Sequence, residues 1–119
     1  MNGTKSNGSH PETPWYVIRV KSNAERVVAQ SLTNRGINVF LPLEKRMSRR
    51  RNFGFIEIPL FPGYLFAQFE YRAALTVVVC PGVIQILCRG QVPEPVDSSE
   101  MHSLLVLSRT AVAISALPT

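Results

Sequence analysis

Met1 to Thr13 is polar, rich in Gly, Asn and Ser and without periodicity, so positions 1–13 read as a disordered tail. From Trp15 to Val20 every position but Arg19 is apolar, which predicts a strand buried on both faces and central in a sheet. Ser22 and Glu25 stand at S-x-x-E spacing and predict a capping box at a helix start. Ala24, Val27, Val28, Ser31, Leu32 and Arg35 then recur at helical intervals, and Gly36 is placed to end the helix in a left-handed cap. Ile37 to Leu41 reads as a short strand stopped by Pro42. The spans 39–43 and 53–58 read as arms of a hairpin with 45–52 at its tip. Phe61-Pro62-Gly63-Tyr64 forms a corner that cannot be helical and leads into strict alternation. Leu65, Ala67 and Phe69 share one face of that strand, and Tyr64, Phe66 and Gln68 share the other. The first set reads as core and the second as an open, sticky face.

Arg72 to Val79 is rich in β-branched residues, yet a crossing to the next strand is needed before Pro81-Gly82, so a short helix is expected there. Val83 to Leu87 follows as a strand. Asp97, with Glu100 three residues on, caps a last helix whose inner face is Met101, Leu104, Leu105 and Ser108. This order predicts an α+β fold: a ferredoxin-like sandwich, mainly antiparallel, with helices on one face and a projecting basic hairpin. The other face would stay open around Tyr64 and Phe66, and an open apolar patch on a small domain points to a partner. With 119 residues there is room for one domain, read as 14–110.

Charge adds a second surface. The net charge is +5, and Lys45, Arg46, Arg49, Arg50 and Arg51 crowd together without an acid among them. Such a cluster needs solvent or phosphates around it, so it is a candidate nucleic-acid backbone contact. Cys80 and Cys88 form neither a zinc pattern nor a disulfide framework and read as reduced thiols of a cytoplasmic protein. The apolar runs are too short to span a membrane. No acid pair, Ser/His or Cys/His constellation or glycine-rich phosphate loop emerges, so no catalytic residue, metal ligand, cofactor or small-molecule substrate is expected.

Two families use an exposed sheet face of this kind. RNA-recognition motifs carry a signature that Gly63, Tyr64, Phe66 and Phe69 match, while Pro62 and Leu65 depart from it. That leaves a stand-alone RNA-binding module as the alternative reading. A closer match rests on four blocks in order: Trp15-Tyr16-Val17, Glu25 with Gly36-Ile37, Phe61-Pro62-Gly63-Tyr64-Leu65-Phe66, and Pro81-Gly82-Val83. On these the chain resembles the N-terminal (NGN) domain of the NusG family of transcription elongation factors. Phe40-Leu41-Pro42-Leu43 and the run Pro59 to Phe66 are most similar to its specialised RfaH-type and capsule-operon antitermination paralogues. The resemblance implies binding to the clamp helices of the largest (β′) RNA polymerase subunit, with pausing or termination suppressed. It also implies that Phe61, Pro62, Tyr64 and Phe66 line the apolar depression that binds them, and that the basic hairpin meets DNA phosphates near the cleft. Family members continue into a KOW-type barrel after a linker, and positions 111–119 resemble the start of that linker.

Overall fold

The computed structural model describes residues 13–47, 54–107 and 113–114. Its elements are β1 (Trp15–Val20), α1 (Glu25–Asn34), β2 (Asn38–Met47), β3 (Phe55–Pro59), β4 (Tyr64–Gln68), α2 (Ala74–Val78) and β5 (Val83–Ile86). A two-residue-strand hairpin, β6 (Cys88–Arg89) and β7 (Val92–Pro93), precedes α3 (Ser98–Leu107), and β8 is Ala113–Ile114. A turn of 3-10 helix at Tyr71–Ala73 leads into α2. The main sheet runs β3-β2-β4-β1-β5, with β8 paired to β2. Every pairing is antiparallel. Strands β1 and β2 are thus parallel to each other with β4 between them, the split βαβ arrangement expected of a ferredoxin-like fold.

The larger core lies on the face carrying Ile18, Val20, Leu65, Ala67, Val39 and Leu41, against Val28, Ala29 and Leu32 of α1 and Val77 of α2. Strand β1 is central, as its two-sided apolar pattern predicts. The stripe on α1 is rotated from the expected one: Val27 is 66% exposed, and Glu25 and Ala29 are buried in its place. The helix ends as expected. Ile37 N–H donates to the Leu32 carbonyl and Gly36 N–H to Thr33, both at 3.0 Å, the paired bonds of a Schellman motif.

Four expectations are corrected. The capping box does not form: α1 begins after Ala24 with no side-chain cap, Asn23 is left-handed at φ 64°, and Ser22 is exposed. Pro42 does not stop β2, which runs unbroken through it. It sits at the hand-over from the β4 ladder, ending at Phe40, to the β3 ladder, starting at Leu43, so its missing N–H breaks neither. The hairpin ladder then continues to Met47 opposite Phe55, which places Lys45 and Arg46 on the ladder and not at the tip. Phe53 and the tip residues from 48 lie outside the described residues.

The fourth correction concerns the second sheet face. Alternation in β4 holds, but the face shared by Tyr64, Phe66 and Gln68 is not open along its length, because α3 lies on it. Phe40, Phe66 and Met101 form a second buried cluster, with Trp15, Val17, Val96, Leu104 and Leu105 packed around it. Backbone bonds from Leu87 N–H to Val17 O at 2.9 Å and from Val96 N–H to Trp15 O at 2.7 Å bring the chain across the end of β1 to start α3 there. Trp15, Val17, Phe40 and Phe66, four apolar side chains on that side of the sheet, required a cover, and the predicted inner face of α3 supplies it.

Candidate protein-interaction site

The Phe61-Pro62-Gly63-Tyr64 corner is a hydrogen-bonded turn: Tyr64 N–H donates to the Phe61 carbonyl at 3.0 Å, and Gly63 takes φ 87°. A positive φ at the third position with Pro at the second is type II geometry, which asks for glycine there. The turn presents Phe61, 38% exposed, and Pro62, also exposed, beside the half-buried Tyr64. Phe61 meets Phe66 edge to face at 6.1 Å between centroids, and Phe66 in turn leans on Phe40 at 5.8 Å. Phe66 itself is only 7% exposed.

Phe66 also floors a groove that continues along the sheet beside α3. Val17, Leu87, Pro95, Val96 and Leu104 supply its other apolar walls, and Glu94, Asp97 and Glu100 line it with acid. Asp97 is committed to capping α3, accepting from the Ser99 and Glu100 amides at 3.1 and 3.3 Å and from the Ser99 hydroxyl. These bonds, the hydroxyl's first, hold its carboxyl below the usual carboxylate range. Glu94 pairs with Arg89 at 3.2 Å on the open surface. The result is a continuous apolar strip from Phe61 through Phe66 into an acid-rimmed groove.

Of the predicted site residues, Phe61, Pro62, Tyr64 and Phe66 do converge, with Phe66 as floor and not as an exposed anchor. Lys45 and Arg46 are exposed on the hairpin, Arg46 paired with Glu44 at 2.7 Å. Arg49, Arg50 and Arg51 lie outside the described residues. Sequence reasoning missed Val17, Leu87, Val96 and Leu104. Their apolar character was visible, and Leu104 was already on the predicted inner face of α3. What was missing was the side of the sheet on which that helix lands. Cys80 is buried, Cys88 is exposed, and both are free thiols. Among the described residues no three His, Cys, Asp or Glu side chains gather as a metal site, and no helix is long and apolar enough to cross a membrane.

Fold and surface together define an α+β domain of ferredoxin-like topology with an accessible apolar strip at one end of its second sheet face. Residues 13–105 match the family described as transcription termination factor nusG. The chain belongs to the NusG family. Its fold is similar to that of Thermotoga maritima NusG, solved in work on domain interaction in that protein, with a TM-score of 0.58 and 25% sequence identity. The match covers 82% of this chain and 58% of that one, so the chain spans well under two thirds of the solved relative.

Proposed function

We propose that this chain is the polymerase-binding domain of a specialised, RfaH-type transcription elongation or antitermination factor. It acts in the cytoplasm, seats the clamp helices of the largest RNA polymerase subunit on the Phe61–Tyr64–Phe66 strip, and suppresses pausing or termination. The basic hairpin lies over DNA phosphates near the cleft. One observation carries this reading: the apolar strip is continuous with a groove between β1 and α3, a shape suited to helical side chains laid along it. The RfaH-type assignment is supported by Phe40-Leu41-Pro42-Leu43 and the Pro59 to Phe66 run. The RNA-binding alternative needs Phe66 free to stack on a base, and Phe66 is packed against Phe40, Phe61 and the second core.

The test is binding to purified core RNA polymerase and to its isolated clamp-helix fragment. Phe61→Ala and Tyr64→Ala each remove an accessible aromatic and should weaken binding by about 2 kcal/mol, roughly 30-fold, without unfolding the domain. In a transcription assay the wild-type chain should shorten pauses, and both variants should lose that effect. Single-stranded RNA at concentrations that displace the clamp fragment, with elongation untouched, would overturn the reading in favour of base stacking.

A further inference from the structure

Glu25 sits in the first turn of α1, is 6% exposed, and makes no capping bond within its own helix. No cation among the described residues forms an ion pair with it. Its carboxylate instead accepts a 2.7 Å hydrogen bond from the amide of Gly63, 38 residues away. The Gly63 carbonyl accepts from Val20 N–H at 2.9 Å. The glycine is therefore tied at its amide to α1 and at its carbonyl to β1.

The amide that Glu25 holds belongs to the central peptide of the Phe61–Tyr64 turn. Type I and type II turns differ chiefly by a flip of that peptide, which swings its N–H from one side of the turn to the other. The turn's own hydrogen bond, from Tyr64 N–H to Phe61 O, is compatible with either form. A buried acceptor on one side selects one orientation, since the flip would strand both the amide and the carboxylate without partners. We propose that Glu25 is a positioning residue that locks the Pro62–Gly63 peptide and thereby sets the angle at which Phe61 and Tyr64 meet a partner. The lock rests on the polymerase-binding reading for its functional consequence, but not for its geometry.

Three variants of the full chain test it: Glu25→Gln keeps an acceptor at the same reach, Glu25→Asp shortens the reach, and Glu25→Ala removes the acceptor. Two quantities are read: the Gly63 amide resonance in a ¹H–¹⁵N spectrum and the affinity for core RNA polymerase, measured below each variant's unfolding midpoint. Glu25→Gln should keep the Gly63 amide shifted downfield and bind within about threefold of wild type. Glu25→Asp and Glu25→Ala should move that amide upfield and weaken binding about tenfold, mostly through faster dissociation. A merely structural glutamate would not give rescue by Gln with loss by Asp. If Glu25→Ala does not fold, the Gln and Asp variants decide. Wild-type affinity in a folded Asp variant, or equal losses in Gln and Asp, overturns the lock. Should the wild-type chain fail to bind polymerase, the functional reading falls, and an unmoved Gly63 amide in Glu25→Asp would overturn the lock separately.

Discussion

Gly82 is the residue with the least room to change. It takes φ 95°, and a Cβ added there would come within 2.6 Å of the Val28 Cγ2 in the core. Its carbonyl also accepts from Lys21 N–H at 2.9 Å, so the backbone cannot swing away without losing that bond. Gly82→Ala should therefore cost about 2–5 kcal/mol, the sum of left-handed strain and overpacking, read as a lower urea midpoint with unchanged slope. The Pro81-Gly82 corner was legible in the sequence, but its contact with Val28 was not. The same division holds for Glu25. Spacing from Ser22 pointed to a local capping bond, and the carboxylate went instead to Gly63, which local pattern does not report. For Phe66, alternation named the right face, while its burial depended on a helix more than thirty residues downstream.

Among the elements, α3 shows how far pattern reaches. Its cap at Asp97 and its inner residues Met101, Leu104 and Leu105 were readable from the chain, and Ser108 lies outside the described residues. Which sheet face it covers depends on the route through Leu87 and Val96, which no periodicity records. Strand β2 was cut short for a related reason: Pro42 reads as a stop unless the ladder changes partner there, as it does. The cap also gives α3 a pH response. Because the folded-state pKa of Asp97 is depressed, its contribution is present above the unfolded value and is lost as pH falls through the lower folded value. The Ser99 and Glu100 amide resonances should hold steady from neutral pH and titrate only in more acid solution than an ordinary aspartate requires. In Asp97→Ala they should take their acid-form positions already at neutral pH.

At the scale of the whole molecule, the apolar strip and the basic hairpin are separate surfaces joined by one unbroken strand, β2, which runs from Asn38 through Phe40 to Met47. Their contributions should separate experimentally. Neutralising Arg49, Arg50 and Arg51 together should flatten the slope of log affinity against log salt by about two to three for a DNA-containing polymerase complex, if all three meet duplex phosphates. Affinity for the protein-only clamp fragment should barely move. The fold class and the sheet's buried side were legible because β1 and β4 carry their pattern locally. The groove was not, because it exists only between segments that meet in space. Phe66 belongs to that groove and to the second core at once. Its freedom to diverge is correspondingly small: on the proposed binding reading, a substitution that tuned recognition at the floor would first have to survive a repacked cluster with Phe40 and Met101. Pro62 and Glu100 are exposed and belong to neither buried cluster, so on the proposed binding reading recognition can change at the rim while the aromatic floor stays fixed.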